Sequence, residues 1–156
     1  MRLVRIASAL VAALLVAAVT AAGASSTKTV TCTLQLQTLA PPGSSGGEDF
    51  GTVACDRVFG KGVQHNSKVT ITPASPTTGT ATGPFKQFFD TGTVHGTFKL
   101  AYSITPPSAV TYTGTATFSG GTGVYKHPRG SAKVTCESTD GGTHATCTVK
   151  TILTHI

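Results

Sequence analysis

From Thr93 to Ile104 the chain alternates between two kinds of position. Val94, Gly96, Phe98, Leu100, Tyr102 and Ile104 fall on one face, and Thr93, His95, Thr97, Lys99, Ala101 and Ser103 on the other. A period of two is the signature of a strand with one buried face. The pattern returns after Pro106-Pro107-Ser108, with Val110, Tyr112, Gly114, Ala116 and Phe118 set against Thr111, Thr113, Thr115 and Thr117. Proline and serine are turn formers, so these two runs predict an antiparallel hairpin. Other Thr- and Val-rich segments predict strands near 29–38, 50–59, 62–72, 78–89, 130–138 and 144–154, which makes eight in all. Helices of the kind that join parallel strands are absent, so the class is all-β. An even number of strands in meander order closes on itself and leaves no edge exposed, which favours an eight-stranded antiparallel closed β-barrel. A β-sandwich is the alternative.

The first residues break this pattern. Met1 to Arg5 is short and basic, Ile6 to Ala22 is an apolar run of mostly Ala, Val and Leu, and Ala22-Gly23-Ala24 offers small residues for cleavage. Residues 1–24 are therefore expected to be a signal peptide, and residues 25–156 a single barrel domain in a secreted protein, extracellular or periplasmic. An uncleaved anchor competes with this reading, because roughly 18 apolar residues can span a bilayer. Ser8 and Thr20 interrupt the run and no basic stop follows directly, so stable membrane insertion after cleavage is not expected. Without Arg2 and Arg5, ten basic residues face six acidic ones, a net charge of +4. The ten are scattered along the sequence and predict no phosphate-tracking stripe, so nucleic acid is not an expected partner.

In an oxidising compartment the four cysteines are expected to pair. Cys32 shares a face with Val30, Leu34 and Leu36; Cys55 with Val53; Cys136 with Ala132 and Val134; and Cys147 with Ala145, Val149 and Leu153. Folding the chain about Asp140-Gly141-Gly142-Thr143 sets Cys136 opposite Cys147, and folding it about Pro42-Gly43-Ser44 sets Cys32 opposite Cys55. One disulfide per hairpin is the expectation. Four cysteines allow three connectivities, and in a closed barrel the neighbouring first and last strands keep Cys32–Cys147 as a rival. No Cys-x-x-Cys or His-x-His occurs, and His65, His95, His127, His144 and His155 are far apart, so neither a metal nor a cofactor is expected.

Catalytic patterns are scarce. The chain has no Gly-x-Ser-x-Gly elbow, no His-Glu-x-x-His helix and no phosphate loop. Asp49 and Asp140 read as turn residues and Glu48 as part of a Gly/Ser loop. Asp90-Thr91-Gly92 matches the tripeptide of aspartic proteases, but that chemistry needs two carboxylates sharing one site and no second copy exists. Asp90 therefore reads as a turn residue. Tyr102 and Tyr112 point inward as possible polar handles for a ligand, and Arg57 is the only basic or acidic residue that the strand pattern sets clearly on an inward face.

Gly120-Gly121-Thr122-Gly123 reads as a tight turn, with Gly120, Gly121 and Gly123 supplying positive φ or close backbone approach at a barrel corner. The surrounding segment, Gly114-Thr-Ala-Thr-Phe-Ser-Gly-Gly-Thr-Gly-Val-Tyr-Lys-His-Pro-Arg-Gly130, resembles bacterial secreted proteins of the allene oxide cyclase barrel-like group, relatives of plant dirigent proteins. Asp90 to Phe98 is similar in style, so the resemblance covers roughly residues 90–150. It implies an eight-stranded barrel with an apolar interior open at one end. The matched segment is a structural turn in that group, so the resemblance carries over no catalytic residue. Three functions fit these expectations: a barrel binding a small apolar or phenolic ligand, a cyclase- or coupling-type enzyme, and a cell-envelope structural module whose interior is filled.

Overall fold

Period-two alternation becomes a closed sheet in the computed structural model of the chain, which describes residues 27–39, 45–56 and 59–154. The strands are β1 (Thr27–Thr38), β2 (Gly46–Cys55), β3 (Lys61–Pro73), β4 (Thr78–Phe89), β5 (Gly92–Thr105), β6 (Ala109–Gly121), β7 (Gly130–Ser138) and β8 (His144–Thr154). Each pairs antiparallel with its neighbour in sequence, and β8 returns to β1, so the eight strands form a closed barrel with no free edge. A 3-10 turn at Gly123–Tyr125 links β6 to β7. The expected signal segment and the 42–44 turn lie outside the described residues.

Cys32 is bonded to Cys55 and Cys136 to Cys147, each pair directly opposed in register within its hairpin. The rival Cys32–Cys147 bridge is excluded because Cys147 faces Leu34 across the β1–β8 seam, while Cys32 faces Val149. The Thr-rich faces turn outward. There the register gathers lysines that are scattered in sequence: Lys133 stands opposite Lys150, and Lys99 lies two strands from Lys133 across Thr115.

One end of the barrel is sealed. The β2–β3, β4–β5 and β6–β7 connections bring Phe59, Phe89 and Tyr125 into one cluster, with ring centroids 4.7 to 5.7 Å apart. All three are buried, with Val30, Val53 and Val94 in the same core. The Tyr125 hydroxyl accepts a 2.8 Å hydrogen bond from Thr91 Oγ1, so the one polar atom of the plug has a partner. Asp90-Thr91 makes the two-residue turn between β4 and β5.

Three local departures from the sequence reading matter. First, β2 begins at Gly46, so Glu48 and Asp49 are strand residues and not loop or turn residues. Their low β propensity is overridden by pairing on both sides, with Thr38↔Asp49 on β1 and Asp49↔Asn66 on β3. Second, the glycine run divides. Gly120 and Gly121 continue β6, where Ser119 and Gly120 form a bulge against His95. Gly123 alone of the three has positive φ, at 63°, and opens the 3-10 turn. Third, β3 carries one extra residue between His65 and Thr70 relative to both neighbours, and Lys68 there adopts φ 61°. This bulge reverses the parity of the strand, so Gln64 and Asn66 face inward before it and Val69 and Ile71 after it.

Candidate functional site

The other end of the barrel, where β1–β2, β3–β4, β5–β6 and β7–β8 connect, is not plugged. An inner cavity of about 110 Å³ lies between β1–β8, and a vestibule of about 420 Å³ continues from it to the mouth. The two share Thr38, Asp49, Val69, Ile71, Tyr112 and Gly142. Most of the inner wall is apolar: Leu34 and Leu36 from β1, Phe85 from β4, Phe98 and Leu100 from β5, Ala116 and Phe118 from β6, and Val134 from β7. Phe85 and Phe118 meet edge to face at 5.5 Å.

The remaining wall is polar, and it belongs to β2, β3 and β4. Gln87 Nε2 donates to Gln64 Oε1 at 2.7 Å, Gln64 Nε2 donates to Asn66 Oδ1 at 2.9 Å, and Asn66 Nδ2 donates to Asp49 Oδ2 at 3.3 Å. Thr38 Oγ1 closes the line from the other side with a 2.6 Å bond to Asp49 Oδ1. The direction of this chain follows from its last member. A carboxylate only accepts, so Asn66 must present its amide nitrogen to Asp49, which turns its oxygen to Gln64 and orients each amide behind it. Gln64, Asn66 and Gln87 are all buried. The strip therefore begins deep in the barrel and ends on one carboxylate at the mouth.

The tyrosines expected as handles take different places. Tyr112 lines both cavity and vestibule, while Tyr102 lines the vestibule alone, their ring centroids 6.3 Å apart. Tyr102 stands opposite Gly79 with its ring against that residue's backbone, where any side chain would collide with it. Burial first, then the Asp49 charge and the neighbouring Tyr102, hold the Tyr112 hydroxyl above the usual tyrosine range. Tyr112 thus stays a neutral donor beside an anionic acceptor. Arg57 lies outside the described residues. The disulfide Cys136–Cys147 lines the inner cavity as apolar surface. Gly120, Gly121 and Gly123 sit toward the sealed end and touch neither cavity nor vestibule.

No family model matches the chain, and no curated protein matches it. Among solved structures, pyocyanin demethylase is similar at 16% identity and a TM-score of 0.42, over 81% of this chain and 99% of that one. A likeness at that level carries no argument about function. The site must therefore be read from its own residues.

Tyr112 and the apolar wall are visible in the alternation, but the polar strip is not: Asp49 reads as a turn residue in sequence, and Gln64, Asn66 and Gln87 belong to no motif. One signal was present: Phe85, Gln87 and Phe89 share a parity, so a glutamine between two inward phenylalanines has to face inward as well. Among the described residues no three His, Cys, Asp or Glu side chains gather as metal ligands. What the arrangement offers is an apolar slot with a hydrogen-bond acceptor and a donor at its entrance.

Proposed function

We propose that this protein is an exported barrel that binds one small, predominantly apolar molecule in the open half of its interior, with the molecule's polar end at the Asp49–Tyr112 mouth. The observation that carries this reading is the asymmetry of the interior: one end is sealed by packed aromatics, and the other holds an apolar cavity that opens through a polar rim. Small-ligand sites have this form, a largely apolar cleft with a few placed polar groups, and barrel mouths are among their usual locations. Export is supported by the basic and apolar N-terminal run and by the two disulfides. A structural module would gain stability from a filled interior, and the open half of this barrel forgoes it.

A cyclase- or coupling-type activity is the second reading, favoured by an acceptor, Asp49, and a neutral donor, Tyr112, facing one slot. Membership of the allene oxide cyclase barrel-like group belongs with this reading, supported by the 114–130 segment and by the closed eight-stranded barrel. The decisive experiment for binding is native mass spectrometry of the protein recovered from its secreting cells, with organic extraction. It is paired with equilibrium uptake of single-ring aromatic probes that are neutral, cationic and anionic. We expect a bound molecule or saturable uptake of at least one probe class. A protein that carries nothing and takes up none of the probes is not a binding barrel.

A further inference from the structure

We infer that the ligand of this cavity is an amphiphilic organic cation, an amine joined to an aryl or short alkyl body, whose nitrogen docks on the Asp49 carboxylate. This inference rests on the binding reading and adds the charge of the ligand to it.

Asp49 is a carboxylate whose protein partners are neutral. Its two oxygens accept from the Thr38 hydroxyl and the Asn66 amide, and each retains acceptor capacity beyond that one bond. The ion pairs among the described residues are made by other acids: Glu48 with His65, and Asp140 with His144. A negative charge is thus set at the junction of an apolar cavity and its vestibule with no positive side chain of the described chain beside it. Such a charge is costly to desolvate, and a ligand that covers the mouth desolvates it further. A cationic ligand restores the balance, a neutral one leaves the charge buried, and an anionic one adds repulsion.

The hydrogen-bond strip holds this carboxylate in place. Gln87, Gln64 and Asn66 form a line of amides whose donors all run toward Asp49, which stands as the terminal acceptor of the line, and the line brings it partial positive charge but no cation. Deeper in the barrel these amides satisfy each other, so the interior presents no comparable charge to a ligand's buried end. At the mouth the Tyr112 and Tyr102 rings flank the vestibule, and the face of an aromatic ring attracts a cation. The size also fits: a cavity of about 110 Å³ has room for one ring or a short alkyl chain. Charge at one end and apolar bulk at the other define the class.

The test uses three probes that share one body: 4-phenylbutylamine, 4-phenylbutanol and 4-phenylbutanoate, titrated by calorimetry into the mature protein near neutral pH. The amine should bind about tenfold or more tightly than the alcohol, as expected when a hydrogen bond gains a full charge, and the carboxylate should bind weakest. Asp49→Asn keeps the side-chain shape and an oxygen for the Asn66 amide, with its own amide nitrogen donating to the Thr38 hydroxyl in place of the bond it accepted there, and should reduce the amine to the affinity of the alcohol. Equal affinity of amine and alcohol for the unaltered protein overturns the cation while leaving a binding barrel. An amine preference that survives in Asp49→Asn also overturns it. Failure of all three probes to bind overturns both this inference and the binding reading beneath it. The ranking on the unaltered protein decides the matter even if Asp49→Asn does not fold.

Discussion

At the end where β2–β3, β4–β5 and β6–β7 turn, Phe59, Phe89 and Tyr125 fill the space between opposed strands, and the single polar atom among them is satisfied by Thr91. At the end where β1–β2, β3–β4, β5–β6 and β7–β8 turn, the same strands enclose a cavity and set three buried amides and a carboxylate along its wall. In both halves it is inward-facing side chains that meet the interior. They differ in whether those positions were spent on packing. Buried amides contribute little net stability even when paired, because each gives up hydrogen bonds to water, whereas apolar side chains of similar size add burial without that cost. A barrel under selection for folding alone would repeat the aromatic plug at both ends. The polar strip is a local violation of the apolar-in rule, and such violations are where function is expected.

Loss of the plug should cost the barrel most. Phe89→Ala deletes a buried ring in contact with both Phe59 and Tyr125, and a substitution of this kind costs about 3–5 kcal/mol. For a domain of this size that corresponds to a fall in Tm of roughly 10–20 °C by thermal unfolding. Ligand uptake at the other end should be unchanged in the protein that remains folded. A Tm within a few degrees of the unaltered protein would mean that the aromatic cluster does not seal the barrel.

A smaller effect sharpens the other half. Gln64→Leu leaves the Gln87 amide without its acceptor and Asn66 Oδ1 without its donor, both in the interior, for a loss of about 2 kcal/mol. Adding Gln87→Leu removes one of the two orphaned groups. The double variant should therefore be more stable than Gln64→Leu alone, although it carries more substitutions, as chemical denaturation would show. Simple additivity, with the second change costing a further increment, would mean that the amides act separately and not as one directed strip.

The sequence made the barrel legible because the barrel depends on alternation, and alternation survives in β5 and β6 from Val94 to Phe118 almost without interruption. The disulfides were legible for a related reason: hairpin register is set by turn position, which is local. The site was not, and the cause is physical. Gly46 and Gly47 have no side chains to mark a strand, so β2 lost its first residues to an apparent loop and Asp49 went with them. The extra residue near Lys68 reverses the face of β3 halfway along, so no single parity describes Gln64, Asn66, Val69 and Ile71 together. The glycine run reads as one turn because glycine permits both a bulge and a positive φ, and only the pairing of β6 with β5 separates the two uses. The alternation sets Tyr112 inward, but its importance depends on Asp49, which comes from the far side of the barrel.

The smallest effect concerns the rim. The β7–β8 turn that borders the vestibule is tied by Asp140, whose Oδ1 accepts from the His144 backbone N–H and from Ser138 Oγ, both at 2.9 Å, and whose Oδ2 lies 2.6 Å from His144 Nδ1. The backbone bond from His144 foremost, then its side chain and Ser138, lower this carboxyl to about 2 from an ordinary 3.8. A depressed carboxyl favours the folded state above the unfolded pKa, and that contribution is lost as pH falls through the folded value. Asp140→Asn retains an oxygen for the His144 N–H and removes the charge, while its amide nitrogen replaces the oxygen that faces His144 Nδ1. It should therefore lower Tm slightly at about pH 5, with the gap to the unaltered protein closing between about pH 4 and pH 2. The group is exposed, so the gap should also shrink in high salt. A gap that persists unchanged to pH 2 would assign the effect of the substitution to turn geometry instead of charge. The open end would then owe its rim, like the sealed end its plug, to packing and neutral hydrogen bonds alone.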